Sequence, residues 1–328
     1  MATHTDAIQE RRLAQIGRPN PLRTVAAWEL RRMAASRATW VGVALITGFF
    51  LFVAWLLRSI ALVNYFYLEE PFTLSVTGSS AWGLVRVLPR TMLLILGVIL
   101  PFLAAELVSR DLRRRTHEII MSTPIPTWAY VWGRFLAGLV ATTLLSLLPI
   151  LAVALVGYAA SLLAAYSLPN LGTAVSMWAV LILPAVLLLS GLSFAIGTLL
   201  PRFANLAKVL VVAAWFFGAY FSIFSLHDAA WMEALDPTSR GLSYTLELQY
   251  QQQMGAGASA GQREGLPNGY YSPKDLADAR ALQEKVRQVE QRPTDLWPWV
   301  SPHALIAALG PACVALAAAK FNRFSSLQ

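Results

Sequence analysis

The chain has 328 residues, of which 56% are hydrophobic and 13% charged, and its mean hydropathy is +0.53. Soluble domains carry about 25% charged residues, so this composition excludes an ordinary soluble domain and predicts an integral membrane protein. The net charge of +8 does not require nucleic acid as a partner, because the basic residues lie at the ends of apolar stretches, where anionic lipid accounts for them.

Residues 1–37 are predicted to form a cytoplasmic N-terminus with an amphipathic helix over residues 20–36. Asn20 suits the N-cap and Pro21 the first helical position. Apolar residues recur near one face while arginines surround the rest, which is typical of a helix lying in the inner membrane surface; the apolar residues are Leu22, Val25, Ala26, Leu30 and Met33. The alternative is a solvated basic helix that only enforces topology.

Six stretches are long and apolar enough to cross a membrane, for which about 20 mostly apolar residues are needed. Residues 38–226 are expected to hold the first five and residues 297–320 the sixth, and the predicted spans are 38–60, 84–107, 131–158, 174–200, 205–226 and 297–320. Prolines inside four of the spans predict local kinks. No Asp, Glu or Lys stands at the centre of a span, which argues against a proton- or ion-coupled transporter. We therefore predict an all-α polytopic membrane protein.

The distribution of charge predicts the orientation. With the N-terminus inside, the inner segments contain sixteen basic and six acidic residues, and the outer segments contain ten basic and twelve acidic residues. The positive-inside rule therefore predicts that both termini are cytoplasmic, with residues 321–328 as a cytoplasmic tail.

The stretch "SRDLRRRTHEIIMSTP" concentrates charge between the second and third spans. A helix over residues 108–121 would place an apolar stripe against the spans or lipid, and it would offer its charged face to a cytoplasmic protein. The stripe comprises Val108, Leu112, Thr116 and Ile119, and the charged face comprises Arg110, Arg113, Arg114, His117 and Glu118. Pro124 and Pro126 end the helix. The alternative is a positive-inside anchor, although an anchor needs neither of the interleaved acids.

Motifs for independent chemistry are missing from the sequence. It has no G-x-S-x-G, and "HEIIM" at His117 lacks the second histidine of H-E-x-x-H. The four histidines lack the spacing of metal ligands. The phosphate-binding loop G-x-x-x-x-G-K-[ST] is also absent. We therefore expect no catalytic residue, no metal site and no cofactor in this chain, and any ATP-driven work would need a partner.

The segment after the second span resembles that of the permease subunits of type-2 ABC transporters. Their pattern is E-x-x-S-R-[DE]-x-x-x-G-T-x-E-x-L-x-S-T-P, followed about ten residues later by G-[KR]. The matching residues are Glu106, Ser109, Arg110, Asp111, Thr116, Glu118, Ser122, Thr123, Pro124, Gly133 and Arg134, while Arg115 stands where glycine is common. The opening "WELRRMAASR" is also similar to the N-terminal pattern of that family.

The resemblance implies a mechanism and a set of partners. Two permease chains, as a homodimer or heterodimer, pair with two copies of an ATP-binding subunit, which holds ATP and Mg. The segment between spans 2 and 3 is then a coupling helix in a cleft of that subunit, and ATP-driven closure switches the permeases between two arrangements. The residues expected to couple to the ATPase are Glu106, Arg110, Asp111, Arg113, Arg114, Thr116, His117, Glu118 and Pro124.

The resemblance also implies a function, which we expect to be export across a plasma (inner) membrane. The substrate would be lipid-like, drug-like or a peptide, since nothing in the sequence selects among these. A membrane scaffold that transmits ATPase motion to an external partner is the alternative. An independent membrane enzyme is disfavoured by the missing catalytic motifs.

The predicted external loop, residues 227–296, is long for that family, which usually has a short pair of re-entrant helices there. A helix is predicted over residues 273–291, because Ser272, Pro273 and Asp275 form a capping pattern. Apolar residues then recur at helical spacing, namely Leu276, Ala279, Leu282 or Gln283, Val286 and Val289. We expect this loop to bind an external partner or to cap the exit path, with a self-packed excursion as the alternative.

Overall fold

The computed structural model describes residues 20–65, 72–105, 125–163, 168–225, 234–255, 276–290 and 294–321. Within these ranges, six helices are long and apolar enough to cross a membrane. They are α2 (Arg37–Leu56), α3 (Ala81–Ala104), α4 (Thr127–Leu163), α5 (Leu171–Leu199), α6 (Ala204–Ser225) and α9 (Trp297–Lys320). The predicted fold class, an all-α polytopic membrane protein, is thereby confirmed.

Besides a short 3-10 helix before α6, Pro201–Phe203, the described residues form three further α-helices and a β-hairpin. They are α1 (Pro21–Ala35), β1 (Ser59–Tyr65), β2 (Phe72–Thr77), α7 (Arg240–Gly255) and α8 (Leu276–Glu290). The strands are antiparallel, pair Ser59 with Thr77 and Tyr65 with Phe72, and have an irregular register between Ala61 and Val63. The sequence analysis did not predict the hairpin. Its β-branched and aromatic residues favour strands, but they follow the first apolar stretch closely, so hydropathy alone does not separate them from it.

The helix bundle has two ends, which we call the α1 face and the hairpin face. Helix α2 runs from α1 at one end to the hairpin at the other, and α3 returns from the hairpin towards the α1 face. Helix α4 starts beside α1 and reaches the hairpin face, where a Cβ on Gly157 would lie 2.7 Å from Ser79 Oγ. Single helices therefore connect the two faces directly.

A close contact between helix backbones joins α5 to α9. A Cβ on Gly191 would lie 2.3 Å from the carbonyl oxygen of Gly310, and a Cβ on Gly310 would lie 2.1 Å from that of Leu187. Small residues allow such backbone contact, which drives helix association in a membrane where the hydrophobic effect does not. The backbones of α5 and α9 are consequently held in direct contact.

Hydroxyl groups connect α5 to α4 inside the bundle. Ser190 Oγ donates a hydrogen bond to Thr142 Oγ1 at 3.0 Å, and Trp178 Nε1 donates to Ser146 Oγ at 2.9 Å. All four side chains are buried or half-buried. Such bonds are worth about 0.6 to 2 kcal/mol each in membrane proteins, so they add to the packing of α4 on α5.

Three of the crossing helices are irregular near prolines. Helix α4 is interrupted at Leu147, two residues before Pro149, and α5 contains a π-helical turn, Trp178–Ile182, just before Pro184. A second π-helical turn, Leu88–Met92, widens α3 and contains a proline. Proline lacks a backbone donor and its ring crowds the preceding turn, which explains why the regular hydrogen-bond ladder changes at these points.

Helices α7 and α8 pack onto the hairpin face through their own apolar residues. The ring of Tyr250 stacks on Trp82, with centroids 5.4 Å apart, and its hydroxyl lies 2.6 Å from Thr294 Oγ1. The predicted apolar stripe of α8 is buried except at its first residue, Leu276; the buried members are Ala279, Leu282, Val286 and Val289. The stripe therefore faces the rest of the chain. The predicted caps Ser272, Pro273 and Asp275 lie outside the described residues.

The α5–α9 contact predicts that Gly310→Ala destabilises the protein. The new methyl group would meet the Leu187 carbonyl, which is backbone and has no rotamer to change, so we expect a loss of about 1 to 3 kcal/mol. The measurement is the thermal unfolding temperature in detergent, followed by tryptophan fluorescence. Gly42→Ala is the matched control, because nothing lies within 4 Å of a Cβ there. Equal unfolding temperatures for the two variants would contradict the prediction.

Candidate functional site

The predicted coupling residues all fall in the segment 106–124, which lies outside the described residues. They are Glu106, Arg110, Asp111, Arg113, Arg114, Thr116, His117, Glu118 and Pro124. The structure does describe the chain on both sides of that segment. We call residues 102–105 its leading end and residues 125–134 its trailing end, and these two ends form the candidate site.

The leading end is held by α5 and α6. A Cβ on Gly197 would lie 2.5 Å from the carbonyl oxygen of Ala105, so the backbone of α5 touches the last turn of α3. The ammonium group of Lys208 lies 5.7 Å from the centroid of the Phe102 ring, and Lys208 is only 3% exposed. A cation over an aromatic face gains more when it is shielded from water. Both contacts fix the point at which the chain leaves α3.

The trailing end is held by α1 through a glycine contact. A Cβ on Gly133 would lie 2.7 Å from Val25 Cβ and 3.1 Å from the carbonyl oxygen of Leu22. Any larger residue at position 133 would push α1 away from α4. The glycine thus allows α1 and α4 to pack this closely.

A buried ion pair lies beside this glycine contact. Arg134 Nη1 is 2.6 Å from Glu29 Oε2, and both side chains are fully buried. The other carboxylate oxygen of Glu29 pairs with Arg32, one turn further along α1. Removing one partner of a buried pair leaves an uncompensated charge, which costs about 3 to 5 kcal/mol. The pair therefore holds α1 in one position on α4.

Aromatic rings enclose the Arg134 guanidinium. Its central carbon lies 5.1 Å from the centroid of a Trp28 ring and 5.3 Å from that of Tyr130. The Tyr130 ring in turn stacks on Phe321 at the end of α9, with centroids 6.5 Å apart. Arginine suits this environment because its planar group can stack on rings and pair with a carboxylate at once. The cluster joins α1, α4 and the end of α9.

Local sequence explains how α1 presents these groups. Asn20 Oδ1 accepts a hydrogen bond from the Leu22 amide at 3.1 Å and caps the helix start. Val25 and Glu29 are four residues apart, so they lie on one face, and they are the buried residues of α1. Ser36 then ends α1 and caps α2 through its hydroxyl, which sets the turn between the two helices.

Glu29 was not predicted to be a site residue. In the sequence it is one of the six inner acids, and Arg134 belongs to the family pattern, with nothing that connects the two. The available signal was an acid four residues after Val25, on the apolar side of a helix otherwise rich in arginine. Among the described residues, no group of three His, Cys, Asp or Glu side chains could hold a metal ion. What the described part of the site provides is close packing and ion pairing between helices, chiefly between α1 and α4.

The ion pair predicts a specific pattern of unfolding energies. Glu29→Gln takes the carboxylate away from the buried guanidinium of Arg134, so it should lower the free energy of unfolding by about 3 to 5 kcal/mol. Arg134→Gln should cost less, because Arg32 still pairs with Glu29. The double variant removes both charges and should cost less than the sum of the two. Thermal or denaturant unfolding in detergent measures all three, and Arg37→Gln, at an exposed arginine of α2, is the control. Additive losses would show that the two residues do not act as a pair.

Comparison with known proteins identifies the family. No curated protein sequence matches this chain. The model of one protein family, described as "ABC-2 family transporter protein", matches residues 23–319. That match begins inside α1 and ends within the last turn of α9, so it includes both ends of the candidate site and all six crossing helices. The chain therefore belongs to the ABC-2 family of transporter proteins and is an ABC-type permease subunit.

Proposed function

We propose that this permease is half of the membrane part of an ATP-driven exporter, paired with a second permease and served by two separate ATP-binding subunits. The segment 106–124 docks on those subunits as the coupling helix, with Glu118 and Arg114 in contact. The observation that carries the proposal is that both ends of this segment are fixed to the bundle. Ala105 lies against Gly197, and Arg134 pairs with Glu29.

Fixed ends make the segment suitable for transmitting force. A push on a loop with loose ends would be absorbed by the loop, whereas close-packed and ion-paired ends pass the displacement on, because protein interiors have low compressibility. At the trailing end the push reaches α4 and α1 together. At the leading end it reaches α3 and, through Gly197, α5. Rigid helices that move as units can then switch between two packings.

The proposed orientation places the α1 face in the cytoplasm of a cell with a plasma (inner) membrane. The excess of basic residues in the segments that end at this face supports it. Both termini are then cytoplasmic, on the side where the ATP-binding subunits hold ATP and Mg. The hairpin face, with α7 and α8, is external.

The proposed substrate is a lipid-like, drug-like or peptide molecule with an apolar part. The large apolar surface of the crossing helices and the hydroxyl groups between α4 and α5 support this class. The alternative of a scaffold for an external partner is less well supported. The apolar stripe of α8 packs within the chain, so such a partner would have to bind the polar face of the helix.

The proposal predicts that Glu118→Lys abolishes association with the ATP-binding subunit. The reversal places a positive charge where docking is proposed to need a negative one, next to three further arginines. The permease would be purified from its native membrane in mild detergent, and co-purifying proteins would be identified and their ATP turnover measured. We expect near-equimolar recovery of an ATPase with Walker motifs for the unchanged protein and its loss in the variant.

Glu284→Lys is the matched control, because Glu284 lies on the exposed face of α8 at the opposite end of the bundle. It should retain the ATPase. If neither the unchanged protein nor the control recovers an ATPase, the charge cluster is a membrane anchor. If Glu118→Lys retains both the ATPase and full ATP turnover, the docking assignment is wrong.

A further inference from the structure

Helix α7 reaches into the bundle from the hairpin face along α3. Ser243 Oγ donates a hydrogen bond to the carbonyl oxygen of Val85 at 2.8 Å, and Tyr250 stacks on Trp82. Ser243 comes before Tyr250 in α7, whereas its partner Val85 comes after Trp82 in α3, so the two helices are antiparallel. The first residue of α7, Arg240, therefore lies furthest along α3, towards Arg90.

This position is inside the span of α3. Arg90 is the tenth residue of the 24-residue helix Ala81–Ala104, within its π-helical turn. At 1.5 Å per residue, Arg90 is about 14 Å from the start of a helix about 36 Å long. The hydrocarbon core of a bilayer is about 30 Å thick. The start of α7 thus brings charged and polar side chains to a depth at which they are costly unless paired.

Asp236 lies four residues before Arg240, and its oxygens are already occupied. Oδ1 accepts hydrogen bonds from the amide and hydroxyl of Thr238 at 2.9 and 2.7 Å, and Oδ2 accepts from the amides of Arg240 and Gly241 at 3.1 and 3.4 Å. A carboxylate has about four acceptor positions. Asp236 therefore caps the start of α7 and does not pair with a guanidinium group.

The turn before α7 is held in one conformation. Ser239 is fully buried and has a φ of 53°, a left-handed conformation that is uncommon for residues other than glycine. Its hydroxyl lies 3.3 Å from Nε2 of His303 in α9. The other ring nitrogen, Nδ1, donates to the carbonyl oxygen of Trp299 at 3.0 Å, so Nε2 of the neutral ring accepts from Ser239. Arg240 is thus presented from a fixed backbone.

The Arg240 side chain carries a charge that the described residues leave without a counter-ion. Its Nε is buried and has no hydrogen-bond acceptor, and no carboxylate in the described part of the chain lies within ion-pair distance of the guanidinium. Burial and the nearby charge of Arg90 lower the pKa of Arg240, and Asp236 offsets them only partly. Arginine nevertheless stays protonated in proteins. A half-buried cation of this kind is expected to bind an anion.

We propose that Arg240, with Arg90 beside it, binds a phosphate group between the start of α7 and α3, on the hairpin side of the bundle. The guanidinium fork matches two phosphate oxygens and forms two parallel hydrogen bonds, which makes arginine the preferred ligand for such groups. The helix start itself is capped by Asp236, so the arginine side chains form the site. The phosphate belongs either to the headgroup of an anionic membrane lipid or to a soluble phosphate.

The test measures ligand-dependent stability of the purified, delipidated permease in neutral detergent. Unfolding temperatures are recorded during titration with phosphatidylglycerol, with phosphatidylcholine and with inorganic phosphate. The variant is Arg240→Gln, and the matched control is Arg280→Gln, an exposed arginine of α8 in the same external segment. No ATPase is needed, so the result is independent of the proposed function.

We expect phosphatidylglycerol to stabilise the unchanged protein and the Arg280→Gln control, and the midpoint of that titration to shift by roughly tenfold or more in Arg240→Gln. Phosphatidylcholine should have a smaller effect, because its headgroup carries its own cation. If inorganic phosphate gives the same Arg240-dependent shift, the site binds a free phosphate. If only phosphatidylglycerol gives it, the site binds a lipid headgroup. Equal responses of Arg240→Gln and the unchanged protein, or no stabilisation of the unchanged protein, would overturn the proposal.

Two further measurements distinguish anion binding from a structural role of Arg240. Without any added anion, Arg240→Gln should unfold at the same temperature as the unchanged protein or higher, because it removes an unpaired cation from a half-buried position. A clear loss of stability in the absence of anion would mean that Arg240 has a structural partner instead. Arg240→Lys keeps the charge without the planar fork, so it should bind several-fold more weakly than the unchanged protein. Unchanged affinity of Arg240→Lys would exclude bidentate binding of the phosphate by the guanidinium group.

Discussion

The buried pair of Glu29 and Arg134 is the interaction on which the α1 face depends. Two charges removed from water must satisfy each other, and here they are also in contact with Arg32 and the rings of Trp28 and Tyr130. The pair leaves α1 only one position on α4, because any sliding would separate the charges without hydrating them. Gly133 supplies the space for this fit. A surface helix thereby becomes part of the membrane bundle.

The crossing helices could be predicted from the sequence because they depend on local composition alone. A run of about 20 apolar residues has few alternatives to a membrane helix, and all six were found in this way. The contact of Glu29 with Arg134 could not be predicted from local composition, because the two residues are distant in sequence. Each also has a simpler local interpretation, Glu29 as an acid of a surface helix and Arg134 as part of the family pattern. The family pattern contained Gly133 and Arg134, yet it does not say which helix they meet.

The charges at the start of α7 could not be predicted from the sequence for a second reason. A survey of single spans finds no acid at mid-membrane, and that remains true of each span by itself. Arg240 comes from the segment between α6 and α9, and it lies near Arg90 only because α7 packs along α3. Polarity inside a membrane bundle is therefore a property of the assembled helices. The β-hairpin was missed for a related reason, since each strand depends on pairing with residues elsewhere in the chain, as Ser59 does with Thr77.

Helix α4 takes part in both faces, and its interruption at Leu147 divides it into two arms. The first arm, Thr127–Ser146, carries the ion pair, and in the second, Leu148–Leu163, Gly157 packs against Ser79. Each arm is about 24 to 30 Å long at 1.5 Å per residue. A tilt of the first arm need not be copied by the second, because the joint at Leu147 can absorb or redirect it. The two halves of α4 can therefore tilt by different angles about Leu147, so that a movement at one face can produce a larger or smaller movement at the other.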